Sequence, residues 1–330
     1  MPLFSVIIPN YNHASWLKQR IDSVLAQDYP DFEVIILDDH STDGSEEIIE
    51  QYRDHPKVTL IYFNTQNSGK PAFVWHQGIS QAAGNWIWIA ESDDFADPKF
   101  LSACKSSIDK HPSAGLWYCD SYIYDENSKK VTRRFSERKN SIFKTDKWSK
   151  PYCQEGIKEI NEYLKKDCTV NNMSAAVFRK EIIAPILDHI PHFQYYADWW
   201  LCLETCLRSD ICYDPQPLNT YRRHGQSLSS GETSLRQTKQ EYFEILKLLY
   251  HQDKVTDKKH LVNHFAYNYL SYSFFKDGMG KGSGLLKRYF AADRKLAAIV
   301  FNGIVGSRIF PGYYEKNYGL KDPAEMSINP

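Results

Sequence analysis

Glu91, Ser92, Asp93 and Asp94 place three carboxylates within four consecutive residues. Like charges this close repel, and a carboxylate is costly to strip of water unless a positive group sits beside it. A divalent cation with oxygen ligands meets both demands. The plain alternative is a solvated acidic turn ahead of a helix that begins near Pro98, and the four residues alone do not choose. The residues before them favour a ligand site. Residues 86–90, Trp-Ile-Trp-Ile-Ala, are apolar without polar alternation, as a strand buried on both faces reads. Acids at the carboxyl end of such a strand lie where open α/β sheets bind ligands.

Three other polar segments follow apolar runs in the same way: Pro9-Asn10-Tyr11-Asn12, Asp38-Asp39 and Asn67-Ser68-Gly69-Lys70. The pattern predicts strands over residues 4–9, 32–37, 58–63, 86–90 and 115–124. Helical spacing predicts helices over 16–26, 46–52, 70–82 and 98–110 between them. This alternation implies a mostly parallel sheet with helices on both faces. The four polar segments then converge on one crevice. Residues 129–139 are basic and polar and read as a surface hairpin or loop. Residues 170–178 read as a return to the sheet, 194–207 as a helix and 211–213 as a strand. Beyond residue 230, proline is absent until Pro311 and helical periodicity returns, with amphipathic helices expected over 241–251 and 260–275. The expected division is a catalytic domain over 1–234 and a helical region over 235–330.

Bulk properties narrow the class. A net charge of −1 over 330 residues gives no reason to invoke nucleic acid. The 14% aromatic share, with 22 Tyr and 8 Trp, suits sugar-stacking clefts and ordinary cores alike. The seven cysteines are odd in number and contain no C-x-x-C. They read as scattered thiols in a reducing compartment. The start, Met1-Pro2-Leu3-Phe4-Ser5, lacks a basic, then apolar leader, and no stretch is apolar enough to span a bilayer as a helix. The expected location is cytoplasmic, with peripheral contact at the inner face of a membrane as a variant.

The series SVIIPNYN, ILDDHSTDGS, NSGKPAFVWHQGI and AESDD, in that order, resembles the inverting glycosyltransferases of family 2, which have the GT-A fold. The match is dense over residues 4–98 and looser through Tyr196-Ala197-Asp198-Trp199 and Tyr221-Arg222-Arg223-His224. The resemblance implies a nucleotide pocket lined by Pro9, Tyr11 and Asn12, with Tyr11 near the base. It places Asp39 opposite the uracil imide N–H, where an acceptor-only group is sound pairing chemistry. Lys70, after the permissive Gly69, faces a phosphate or the base, or is a solvated lysine at a helix start. Glu91, Ser92 and Asp93 occupy the family's Asp-x-Asp place, with Glu replacing the first Asp. Asp93 is the implied metal ligand for Mn²⁺ or Mg²⁺, and Asp94 holds either local structure or the sugar. Asp198 matches the catalytic base, with Ala197 replacing the acid that usually precedes it, and Trp199 is a candidate support for the acceptor ring. His224 is implied as a further metal ligand and Arg222 as a phosphate clamp. His76 departs from the family's usual Asn, and its role stays open.

The implied reaction moves a sugar from a nucleotide diphosphate, with UDP expected, onto a hydroxyl of a glycan or lipid-linked acceptor. Two rivals remain. A nucleotidyltransferase or dinucleotide-binding enzyme on a related α/β sheet is disfavoured because residues 9–16, the first strand-to-helix turn, contain no glycine. A non-catalytic binding module of the same fold is kept open by Glu91, Ala197 and His76. Residues 281–310 mix Lys281, Lys287, Arg288, Arg294, Lys295 and Arg308 with aliphatic and aromatic residues. They suit an interfacial helix on anionic lipid, or a helix packed on protein.

Overall fold

The computed structural model describes residues 1–170, 172–225, 235–266 and 279–309. It divides into two compact units, 1–224 and 225–330. The first alternates strands and helices: β1 Phe4–Asn10, α1 Ala14–Leu25, β2 Phe32–Asp38, α2 Ser45–Glu50, β3 Val58–Phe63, α3 Pro71–Gln81 and β4 Trp86–Ile89. It continues through β5 Phe95–Ala96, α4 Phe100–Lys110, β6 Ala114–Asp125, β7 Lys130–Arg134, α5 Phe135–Phe143, β8 Tyr152–Gln154 and α6 Gly156–Glu159. It closes with β9 Ala176–Arg179, α7 Lys180–Ile183, α8 Ala197–Cys206 and β10 Asp210–Arg223.

Ten strands form one sheet in the order β3-β2-β1-β4-β9-β6-β10-β5, with β7 on β6 and β8 on β10. β1, β2, β3 and β4 are mutually parallel. Every residue of β1, β2 and β4 is buried, which is why these strands read as mostly apolar runs, with Ser5 donating to Glu33 inside. Helix α1 covers one face with Leu17, Ile21 and Val24, a three-to-four-residue spacing that lines one side of a helix. Because β1 lies between β2 and β4, the chain reverses its direction of travel across the sheet there. The carboxyl ends of these strands therefore open the crevice expected at such a switch point.

Several elements differ from expectation. β9 is antiparallel to both neighbours and sits between β4 and β6. β10 is much longer than the strand predicted over 211–213: it runs parallel to β6, with register shifts between Asp214 and Asn219, and ends at Arg223. Part of the basic 129–139 segment forms the β6–β7 hairpin. The expectation of separate thiols fails for one pair. Cys153 on β8 and Cys212 on β10 are cross-strand partners joined as a disulfide. They are 59 residues apart, and only the strand pairing reveals them.

The second unit contains α9 Leu235–Tyr250, α10 Lys258–Phe265, α11 Met279–Ala292 and α12 Arg294–Ile309. Asp293 separates the last two, and its carboxylate accepts the Leu296 N–H at 2.9 Å. Phe243 and Tyr289 stack with centroids 4.2 Å apart. Most of the helix predicted over 260–275 and the end of the 281–310 segment lie outside the described residues. No described helix is long and apolar enough to cross a membrane.

Candidate active site

The acid run leaves the sheet directly after β4. Ala90 N–H still bonds to the Ile7 carbonyl at 2.8 Å, and the four polar residues then turn over the ends of β1 and β10. Two arginines hold them. Arg20, two turns into α1 and fully buried, donates from Nε to the Glu91 carbonyl at 2.8 Å and places Nη2 3.9 Å from Asp94. Burial pushes Arg20 down to about 10, against the pull of Asp94, Asp93 and Glu91. Arg222, at the end of β10, donates from its backbone N–H to Asp94 Oδ1 at 2.9 Å and from Nε to the Asp93 carbonyl at 2.8 Å. Its other guanidinium nitrogens reach Glu126 and Gln19 at 2.5 and 2.6 Å.

Each acid has a different setting. Glu91 accepts the Trp75 indole N–H at 2.9 Å. Burial, with the charges of Asp93 and Asp94, raises its carboxyl to about 8. Asp94 accepts from Asn172 at 2.5 Å. Burial and the Asp93 charge raise it to about 7. Burial also pushes Asp93 up, but the hydrogen bond from His224 and the charge of His13 outweigh it, and Asp93 stays below the ordinary carboxylate range. Asp93 Oδ2 lies 2.9 Å from His224 Nε2. Ser92 is buried, with its hydroxyl 2.8 Å from His13 Nδ1. His13, Asp93 and His224 offer ligand atoms within 4.8 Å of one another. Two imidazoles and a carboxylate form a fitting donor set for a divalent ion.

The nucleotide-side residues cluster at the ends of β1 and β2. Asn10 and Asp38 are register partners, and Asn10 Nδ2 donates to Asp38 at 2.7 Å. Asn12 adopts φ 54° and accepts the Thr42 N–H at 2.8 Å, while its own N–H donates to Ser41. Asn12 therefore staples two loops together. The cap position of α1 belongs to His13, and Asp43 accepts the Ala14 N–H at 2.8 Å. Pro9 is buried and Tyr11 is exposed. Asp39 is buried, accepting from Asn64 at 2.7 Å, the Ser68 hydroxyl at 2.6 Å and the Ser68 N–H. Gly69 takes φ 68°, a left-handed conformation that turns the chain into α3. Lys70 Nζ donates to the Pro191 carbonyl at 3.2 Å, and His76 lies 3.3 Å from Asp188. Lys70, at the cap of α3, and His76 within it thus both tie to the 3₁₀ segment Ala184–His192.

Asp198 sits half-buried in the first turn of α8, its carboxylate accepting the Trp199 N–H at 2.7 Å. It lies near enough to Cys168 and Cys202 for its charge to act on both thiols. Cys168 begins the stretch whose Asn172 and Ser174 bind Asp94 and the Glu91 N–H, so one short segment links α8 to the acid run. Trp199 does not fit the acceptor-side expectation. It is buried, and its indole N–H bonds the Leu164 carbonyl at 2.7 Å. His13, Arg20, Trp75, Gln19, Glu126 and Asn172 were not singled out from sequence. The His13 position directly after the Pro-x-Tyr-Asn turn is the one signal that points to any of them.

Residues 5–184 match the family described as Glycosyl transferase family 2, and the chain belongs to that family. Among curated relatives, the poly(ribitol-phosphate) beta-N-acetylglucosaminyltransferase TarS of Staphylococcus aureus is 36% identical over 117 residues, 34% of this chain and 20% of TarS. The putative teichuronic acid biosynthesis glycosyltransferase TuaG of Bacillus subtilis is 37% identical over 93 residues, 28% of this chain and 36% of TuaG. The matches thus span about a fifth and about a third of these two relatives. The crystal structure of S. aureus TarS 1–349 in complex with UDP-GlcNAc superimposes with a TM-score of 0.68 at 19% identity, covering 97% of this chain and 93% of that one. The mannosyltransferase PcManGT of Pyrobaculum calidifontis, in complex with GDP-Man and Mn²⁺, gives 0.54 at 16% identity, covering 96% and 83%. The fold is GT-A, a mostly parallel sheet flanked by helices with a helical C-terminal region.

Proposed function

We propose that this chain is an inverting, cation-dependent glycosyltransferase that moves a sugar from a UDP-linked donor to a hydroxyl of a polysaccharide or lipid-linked glycan. The observation that carries the reading is His224 meeting Asp93 at 2.9 Å beside the acid run. An oxygen-and-imidazole cation site stands there beyond the carboxyl end of β4, and a buried acceptor carboxylate, Asp39, stands just beyond that of β2 in the same sheet. The family membership and the nucleotide-sugar complexes of the two structural neighbours support it.

Each residue has a task in this reading. Asp39 accepts an N–H from the base, a contact available to the uracil imide and also to guanine, and the TarS likeness favours uracil. Pro9 and Asn12 fix the turn that presents the exposed Tyr11 ring to the base. Lys70 reaches the diphosphate by leaving the Pro191 carbonyl. Asp93 and His224 hold the cation, which when bound offsets charge on the leaving diphosphate. Arg222 and Asp94, engaged with each other and with their neighbours, position the acid run rather than clamp phosphate, and Ser92 orients His13. Glu91 faces the donor. Asp198 takes the proton from the acceptor hydroxyl as that oxygen bonds to the anomeric carbon and the bond to the diphosphate breaks on the opposite face.

Calorimetric titration with UDP, GDP, CDP and TDP, each with Mn²⁺ and with EDTA, tests the reading. UDP binding that requires Mn²⁺ and is lost in Asp93→Ala is the expected result. Preferred binding of another diphosphate overturns the uracil assignment, and binding of none overturns the transferase reading.

In the helical unit, Lys287, Arg288, Arg294 and Lys295 are exposed on either side of the α11–α12 turn. Leu286 and Phe290 line a hollow of 640 Å³ beside them. Lys287 and Arg294 line it as well, together with Asp293, and such a cationic rim on an apolar recess complements an anionic lipid surface. Co-sedimentation with phosphatidylglycerol vesicles but not phosphatidylcholine vesicles is expected, and equal recovery with both refutes the contact.

A further inference from the structure

We propose that His13 is a third protein ligand of the cation, making this a two-imidazole, one-carboxylate site that takes a transition-metal dication before the donor arrives. The inference deepens the transferase reading and rests on its cation site. The ligand atoms of His13, Asp93 and His224 lie within 4.8 Å of one another. Atoms sharing one ion at roughly 2.0–2.3 Å stand about 3–4.5 Å apart, so the three meet that requirement with little movement.

His13 is held for this task. Its Nδ1 is 2.8 Å from the buried Ser92 hydroxyl, which fixes the ring and leaves the other nitrogen for an ion. Such outer hydrogen bonds commonly orient ligating histidines. The His13 ring packs edge-on against Trp16, with centroids 5.4 Å apart, and against His224, at 5.5 Å. Trp16 in turn lies 4.0 Å from the His224 ring, so both imidazoles are held by one indole. The backbone beside His13 is fixed as well. Ala14 N–H bonds Asp43, and one helical face later Arg20 bonds the Glu91 carbonyl. Helix α1 is therefore anchored to the loop after β2 at its first turn and to the acid run at its second.

The ligand set determines which ion is preferred. Mg²⁺ favours carboxylate, phosphate and water oxygen, whereas imidazole suits borderline transition ions. With only Asp93 and His224, most of the ion's ligands would come from the donor diphosphate, and the nucleotide-free protein would bind ions weakly. With His13 added, the protein supplies three ligands and the ion binds first. Mn²⁺ is then preferred over Mg²⁺.

Mn²⁺ titration of the nucleotide-free full chain, followed by electron paramagnetic resonance, tests this without turnover. The expected result is one bound Mn²⁺ with two imidazole nitrogen couplings, resisting a large excess of Mg²⁺. His13→Gln is expected to weaken Mn²⁺ at least tenfold and leave one imidazole coupling. His13→Asp, which restores a ligand atom, is expected to recover much of the affinity with the same single coupling. Thermal melts of both variants check that they fold. A single imidazole coupling in the wild type, no Mn²⁺ binding without nucleotide, or unchanged affinity in folded His13→Gln overturns the proposal. Two couplings in a chain that binds no nucleoside diphosphate would leave the ion site standing and sink only the transferase reading.

Discussion

His224 Nε2 lies 2.9 Å from Asp93 Oδ2, across 131 residues of sequence. Two strands make this meeting possible. β4 ends at Ile89 and releases the acid run, while β10, parallel to β6, extends to Arg223 and delivers His224 just beyond it. The backbone locks the approach, since Arg222 N–H donates to Asp94 at 2.9 Å. The site is thus assembled from strand ends, and its geometry depends on sheet register rather than on a flexible loop.

Asp198→Asn tests the assigned base. The amide keeps the size of the carboxylate and its bond from Trp199 N–H but does not take a proton at neutral pH. Transfer is expected to fall by roughly 10²–10⁴-fold, the usual contribution of a positioned base. UDP affinity with Mn²⁺ is expected to stay within about threefold, because only the acceptor side changes. Retained transfer rates in the variant would remove Asp198 from the reaction.

Arg222 separates positioning from phosphate binding. Its guanidinium is buried and bonds Glu126, Gln19 and the Asp93 carbonyl. Arg222→Met leaves Glu126 its second partner, Lys129, but strips the Asp93 carbonyl of its guanidinium donor, and such a loss costs about 1–3 kcal/mol. A urea midpoint that drops accordingly is expected. Arg222→Lys keeps the charge without the planar fork, so intermediate stability and weakened Mn²⁺ binding are expected. A phosphate clamp would instead weaken UDP binding and leave both stability and Mn²⁺ affinity untouched.

What the sequence revealed follows from what is local. Strand ends, the Asp38–Asp39 turn and the acid run announce themselves because buried strands leave mostly apolar runs and polar residues stand where they stop. His13, Arg20 and Trp75 carry no such mark. Each reaches the acid run only after α1 and α3 dock on the sheet. Trp199 misleads for a related reason. It neighbours Asp198 in sequence, but successive residues on a helix point about 100° apart, and the turn sends the indole inward to Leu164. The Cys153–Cys212 pair needs β8 to lie against β10, and β8 is only three residues long. The antiparallel insertion of β9 between β4 and β6 is likewise a long-range choice that four residues do not encode.

Gly78 tests how closely α3 must approach the sheet. A Cβ there would lie 2.4 Å from Ile7 Cγ2 and 3.0 Å from Leu37 Cδ1, so β1 and β2 side chains occupy the space an alanine needs. Gly78→Ala gains helix propensity of about 1 kcal/mol. Overpacking of this kind costs about 1–3 kcal/mol, and with so short a contact the steric cost is expected to win. Net destabilisation of up to about 2 kcal/mol in urea is expected, with a small shift of Trp75 and hence of Glu91. A stabilised variant would mean the sheet gives way without strain.

Lys139 provides the pH test, away from the acid run. Its ammonium lies 4.9–5.1 Å from the rings of Trp148, Tyr118 and Tyr213 and donates to the Thr169 carbonyl at 3.1 Å. Two effects oppose each other. Three π faces favour the cation, each by about 0.5–2 kcal/mol. Burial disfavours it and prevails, holding Lys139 down to about 7 against the pull of Asp120, Glu159, Cys168 and Cys119. The unfolded chain keeps the ordinary lysine value, so between pH 7 and about 10 it binds a proton that the native state lacks. Stability therefore rises with pH across that window, by up to about 1.4 kcal/mol per unit from this group. Below pH 7 both states are protonated and the penalty is constant. Lys139→Met removes the slope, so the variant's advantage over wild type is expected to be largest at pH 6–7 and to shrink steadily to pH 9.5. The tyrosines titrate above that range, because burial raises Tyr118 and Tyr213 further. Urea midpoints for both proteins at half-unit steps from pH 6 to 9.5 give the comparison. Parallel curves would show that the aromatic faces keep Lys139 charged throughout.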